Sequence, residues 1–174
     1  MSLPSQYQWV KSLLQPPRVL AEALKLYGIV ETPGPVNTPA IMAWAKELNL
    51  PYQADAVPWC GLFAAYVVDR AGFNPVAGPL WARNWAQFGN KAIAGLGDVL
   101  VFKRDGGGHV GFYVAEDATH YHALGGNQGD KVSIVRIDKA RCIAVRRCPW
   151  RESQPISVRP YHVAATGKIS TNEG

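Results

Sequence analysis

No run of about 18 apolar residues occurs anywhere in the 174-residue sequence, so no stretch can cross a membrane as a helix and no stable membrane insertion is expected. The opening residues, Met1 to Val10, are polar and aromatic rather than basic and then apolar. That is not an export signal, and the expectation is synthesis in the cytoplasm without one. Cysteine is scarce. The three present, Cys60, Cys142 and Cys148, cannot all pair within one chain and contain no Cys-x-x-Cys step, which excludes a zinc ribbon or a thioredoxin motif. Cys142 and Cys148 share a face if they lie on one strand. A disulfide along a single strand is geometrically poor, so they read as small buried hydrophobes. Among four histidines, only His120 and His122 have the alternate spacing of a metal pair, and no acid shares their face. Solvent-facing histidines are the plainer reading, and no metal or other cofactor is expected. Internal repeats are absent.

What is present fits one globular domain. Hydrophobic residues make up 48% and charged residues 18%, enough apolar surface to fill a core. The net charge of +5 and pI near 9.2 suit an anionic partner such as a cell envelope. The late basic residues, among them Arg136, Lys139, Arg141, Arg146, Arg147 and Arg159, are not interleaved with stacking aromatics, so a nucleic-acid partner is not expected.

The first half reads helical. Pro17 to Gly28 has Pro in the first turn, Gly at the end and a stripe of Leu20, Leu24 and Tyr27. Thr38 can cap a second helix with Pro39 in its first turn and Ile41, Met42, Ala45 and Leu48 facing inward. A third helix is predicted from about Pro58 to Ala71, stopped by Gly72, and a short fourth over Ala82 to Phe88. After Gly97 the period changes to alternation, giving five predicted strands: 98–103, 108–115, 119–124, 131–137 and 142–147. Short Gly-, Asp- and Asn-rich connections imply an antiparallel meander. Helices followed by strands make an α+β fold. The expected unit spans 1–150, followed by a tail over 151–174 that frays from Ser170.

Two side chains carry chemistry. Cys60 in Pro58-Trp59-Cys60-Gly61 falls in a first helical turn, where unpaired N–H groups and the macrodipole favour thiolate and can hold an oxyanion. Standing alone it reads more readily as an inert buried thiol. His109 in Gly107-Gly108-His109-Val110-Gly111 opens a strand whose other face, Val110, Phe112 and Val114, suits the core; alone it reads as a strand-edge histidine. Together they make a nucleophile and its base. Such a base needs an orienting partner, and Gly125-Gly126-Asn127-Gln128-Gly129-Asp130 supplies Asn127, with Gln128 and Asp130 as alternatives, although the segment is also ordinary turn chemistry. Trp81, Trp85 and Phe88 either line a groove or pack on the sheet, and Trp59 is placed to wall the cleft.

In these residues the chain resembles the CHAP and NlpC-type cysteine peptidases of bacterial cell walls and phage lysins, most of all their phage-associated branch. The resemblance rests on Trp59-Cys60, Gly97-Asp98, Gly108-His109-Val110 and Gly125-Gly126-Asn127-Gln128, with Ala82-Arg83-Asn84-Trp85 and Gly89, and runs from about 41 to 147. It implies a papain-like fold with N-terminal helices on a five-stranded antiparallel sheet and the nucleophile at the N-terminus of the central helix. It also implies hydrolysis of amide bonds in peptidoglycan through a thioester, with Cys60 as nucleophile, His109 as base, Asn127 as orienter, and Trp59, Trp85 and Gln128 near substrate. Many CHAP members carry an acid two positions before the asparagine, where this chain has Gly125. Action at the wall or periplasm is expected, with delivery by holin-assisted release, a phage tail or a secretion system. The rivals are a noncatalytic envelope-binding or virion module on the same fold, and acyl transfer to an amine.

Overall fold

The computed structural model describes residues 2–150 and 153–173. Three α-helices precede a six-stranded antiparallel sheet: α1 (Arg18–Lys25), α2 (Pro39–Glu47), α3 (Cys60–Arg70), β1 (Asn90–Lys91), β2 (Val99–Arg104), β3 (Gly107–Glu116), β4 (His120–Gly125), β5 (Ser133–Asp138) and β6 (Cys142–Arg147). The α+β arrangement expected from the sequence is what forms, with one strand more than the five predicted. That extra strand, β1, has two residues, too few to show alternation. The segment predicted as a fourth helix is a 3-10 helix, Ala82–Gln87, and a further one, Ser5–Ser12, had no signal in the sequence.

Helix boundaries follow local chemistry. Pro17 sits at the N-cap of α1, where its missing N–H costs nothing. Thr38 occupies the N-cap of α2 without bonding the helix; its Oγ1 instead accepts the Thr32 N–H at 2.7 Å. Helix α3 begins at Cys60, two residues later than Pro58, with Trp59 as its N-cap, and Gly72 at φ 84° ends it. Leu62, Phe63, Ala64, Ala65, Val67 and Val68 are buried, so α3 is covered on nearly every side. Gly61 is required: a Cβ there would sit 2.5 Å from the Pro79 and Leu80 carbonyl oxygens.

The sheet order is β1-β6-β2-β3-β4-β5, so the meander over β2 to β5 is followed by a return of β6 to β2. Only Lys139–Arg141 join β5 to β6. Such a link spans at most about 14 Å, whereas four strand spacings across a flat sheet require about 19 Å. The sheet must therefore curl. Its concave interior holds a core of Leu100, Phe102, Tyr113, Ala123, Val135 and Ile137, while the outer face packs Val99, Val101, Val110, Phe112 and Val114 against the helices. Phe63 of α3 meets Phe112 of β3 edge-on, with ring centroids 6.1 Å apart.

The Gly97-Asp98 step serves packing. Gly97, at φ 82°, leaves room for Pro17, which a Cβ would approach to 2.8 Å. Buried Asp98 takes two hydrogen bonds from the Arg147 guanidinium, at 2.9 and 2.7 Å. Of the tail expected over 151–174, the described residues 153–173 lie along the domain: His162 bridges to Glu116 and Ile169 to Arg136. The fraying expected from Ser170 is not what forms over 170–173, because Glu173 is fully buried and paired with Arg141 at 2.9 and 2.7 Å. All three cysteines are free.

Candidate active site

Cys60 is the first residue of α3. The first intrahelical bond runs from the Phe63 N–H to the Trp59 carbonyl at 2.9 Å, so the Cys60 and Gly61 N–H groups precede the helical ladder and point from its positive end. The thiol contacts these two backbone groups and that of Val110 on β3, all of which favour its charged form. Val110 directly follows His109. The helix end and the strand thus bring the cysteine against the peptide that carries the histidine.

His109 is fully buried and stacks on Phe102, its cross-strand partner, with centroids 6.3 Å apart. Its Nε2 lies 3.0 Å from Gln128 Oε1. The Gln128 amide nitrogen donates to the Ala123 and Ser133 carbonyl oxygens; a flipped amide would set oxygen against oxygen. Oε1 must therefore face the ring, and His109 must donate from Nε2. Its Nδ1 then bears the lone pair, and among the described residues it has no hydrogen-bond partner. A buried basic nitrogen without a partner is costly, and this one belongs to the residue directly before Val110.

The third position of the site is therefore Gln128, which the sequence offered as an alternative orienter and as a substrate contact. Asn127 takes up the turn at φ 56°, a conformation asparagine tolerates better than most residues. The hydrogen bond to the ring is Gln128's. Gly125 makes this possible: a Cβ there would lie 2.8 Å from Gln128 Oε1 and 3.1 Å from His109 Nε2. Position 125 thus lies beside the histidine, and its lack of a side chain leaves the room that Gln128 occupies.

Charge is excluded from the resting pair. Burial pushes the Cys60 thiol up and His109 down to about 4. Burial thus favours the uncharged form of each group. Burial also lifts the other two thiols, Cys142 to about 11 and Cys148 to about 12.

A cleft of about 290 Å³ opens over Cys60, lined also by Tyr52, Val57, Pro58, Leu80, Trp81, Arg104 and Gly106 to Gly108. The expected substrate walls need correcting. Trp59 is fully buried, its Nε1 donating to Glu31 at 2.7 Å. Trp85 is equally buried and donates to the Pro79 carbonyl. Trp81, grouped with Trp85 in the sequence, is 74% exposed and is the tryptophan that lines the cleft. Arg104 and Tyr52 had no signal in the sequence beyond their polarity.

The competing histidine pair resolves differently. His120 is half-buried against Thr119, but His122 is fully buried rather than solvent-facing. The turn folds Asp117 back over it, so that His122 Nε2 donates to Asp117 at 2.9 Å and Nδ1 accepts from Tyr7 at 2.7 Å. Arg136 completes the cluster at 2.8 Å from the same carboxylate.

No protein-family model matches the chain. No curated protein matches it either. Among solved structures, the P60 domain of an antigen from M. avium paratuberculosis is similar at 17% identity, covering 82% of this chain and 95% of that one, with a TM-score of 0.48. A protein from Staphylococcus aureus described as similar to lipoprotein, of the NLP/P60 family, is similar at 18% identity with a TM-score of 0.45; 77% of this chain aligns to 41% of that one. Likenesses this distant set no function, and the geometry of Cys60, His109 and Gln128 has to carry it.

Proposed function

We propose that this chain is a cysteine hydrolase of amide bonds, with Cys60 as nucleophile, His109 as general base and Gln128 as the residue that positions the base. The observation that carries the reading is the Nδ1 of buried His109, without a partner among the described residues and with its tautomer set by Gln128, on the residue directly before Val110, whose backbone the helix N-terminal thiol of Cys60 contacts. A structural histidine would have both nitrogens satisfied.

In the reaction, Nδ1 takes the thiol proton as Sγ bonds to the substrate carbonyl carbon. The carbonyl electron pair moves onto oxygen, where the Cys60 and Gly61 N–H groups can hold it. Collapse breaks the C–N bond, and the departing nitrogen takes the proton from Nδ1. Water then attacks the thioester with the same base, releasing the acid and restoring the thiol. Gln128 remains an acceptor for Nε2–H throughout, so the imidazolium formed in transit is stabilised without a fixed charge.

For the substrate we propose peptide or amide bonds of bacterial peptidoglycan, with the protein acting at the wall. The sequence resemblance and the basic balance of the chain, +5 overall, support this. Mass spectrometry of fragments released from purified peptidoglycan tests both levels. Wild type should release fragments whose masses name the bond, and Cys60→Ala none. Equal release by both proteins would remove Cys60 from the chemistry; no release from walls of several chemotypes would move the substrate outside the wall.

A further inference from the structure

We propose that Arg104 forms a carboxylate-binding subsite beside Cys60, so that the preferred substrate carries an acidic group close to the amide that is cleaved. The inference deepens the hydrolase reading and rests on Cys60 being the nucleophile.

Arg104 closes β2 and borders two hollows. One is the cleft over Cys60; the other is lined by Arg83, Lys103, Arg104, Asp105, Arg141 and Thr171. The basic groups here are not equivalent. Arg141 is neutralised by its two-pronged pair with Glu173. Arg83 does not line the cysteine cleft and donates from Nε to the Gly107 carbonyl at 2.8 Å, bracing the glycine rim. Lys103 is exposed and points only to the second hollow. Arg104 alone reaches both.

Its side-chain hydrogen bond is to a neutral group: Nη1 donates to Asn172 Oδ1 at 3.2 Å. Among the described residues no carboxylate lies within ion-pair distance of it; neighbouring Asp105, which also lines the second hollow, is exposed. A half-buried guanidinium with most of its five donors uncommitted, next to a nucleophile, matches a planar carboxylate in shape and charge. Its field reaches the reacting pair, since Arg104 favours the Cys60 thiolate and disfavours His109 protonation. The same cleft also has an apolar lining, which includes exposed Trp81 and Val57. A substrate with an acid and an apolar or ring face fits that pairing.

The test compares alkylation of Cys60 by anionic iodoacetate and neutral iodoacetamide, followed by peptide mass so that Cys142 and Cys148 are read separately. In the folded wild type the iodoacetate-to-iodoacetamide rate ratio should exceed that of the same thiol in urea by about fivefold, and decline with added salt. Arg104→Gln should remove that excess, Arg104→Lys should keep most of it, and Lys103→Gln should leave it within about twofold. Melting curves accompany each variant; if Arg104→Gln does not fold, the lysine variant and the salt series on wild type decide. An unchanged ratio in folded Arg104→Gln, or a wild-type ratio equal to that in urea, overturns the subsite while leaving the hydrolase intact. Failure of both reagents at Cys60 overturns the nucleophile and the subsite with it. As a second readout, peptidoglycan with its carboxylates amidated should raise wild-type KM by about tenfold and leave KM of Arg104→Gln unchanged. Equal KM for both substrates in wild type sinks the proposal.

Discussion

Two histidines of this protein are fully buried, and they have opposite fates. His109 and His122 both have zero exposure, and burial drives both away from the charged form. His122 has each nitrogen committed, one to Tyr7 and one to Asp117, and ties the 3-10 helix at the N-terminus to the sheet. His109 has one nitrogen held by Gln128 and the other unpartnered. A buried imidazole with both nitrogens satisfied can only be lost at the expense of stability; one left half satisfied has a lone pair available for chemistry. Burial alone does not tell the two apart. The second hydrogen bond does.

The sharpest way to break that comparison is to remove each ring. His109→Ala should lower turnover by about 10²-fold or more. His122→Ala should keep turnover per folded molecule while losing roughly 3 kcal/mol in urea unfolding, because buried Asp117 and Tyr7 lose a shared partner. Comparable loss of turnover in a folded His122→Ala would erase the distinction. Next in size is Gln128→Ala, expected to reduce turnover about 10- to 100-fold by releasing the tautomer. Gln128→Glu should restore most of it and move the acid limb of the pH profile upward, since a carboxylate stabilises the imidazolium. An unmoved acid limb in that variant would show that residue 128 does not face the ring.

Acid stability gives a smaller, shared effect. His109 is held neutral in the fold with its pKa lowered from 6.5 to about 4, while the unfolded chain binds a proton near the ordinary value. Stability is therefore complete above about pH 6.5 and is lost as pH falls toward 4, by roughly 2–3 kcal/mol from this group. His122 adds a loss of the same sign. Urea unfolding at pH 7, 5.5 and 4.5 measures it; His109→Gln should flatten part of the slope, and an unchanged slope would place His109 in contact with water. The smallest effect expected is that of Asn127→Gly, which keeps the positive φ and should change turnover far less than Gln128→Ala. The reverse order would return the positioning role to Asn127.

Much of this protein is written in local pattern. The starts of α1 and α2 at their prolines, the stop of α3 at Gly72 and the change to alternation after Gly97 all depend on neighbours within a turn or a strand. Cys60 was legible because helix N-termini are local features, and His109 because its strand alternates cleanly. The exposed and buried members of the Trp81–Trp85 pair were not legible, since their separation depends on the chain segment of Pro79 lying against α3. His122 was misread for a similar reason: its acid comes from a turn that the spacing places off its face.

From its own order of residues the chain determined the α+β layout, the cysteine at a helix start and the histidine on a strand, because propensity, caps and periodicity act over a few residues. Tertiary structure alone decided that the sheet curls and that β6 returns to β2. It also decided that Gln128 rather than Asn127 meets the ring, and that Arg104 lines the cleft over Cys60. Those outcomes turn on ångström-scale vacancies, such as the missing Cβ of Gly125, between segments that meet only when the core has packed.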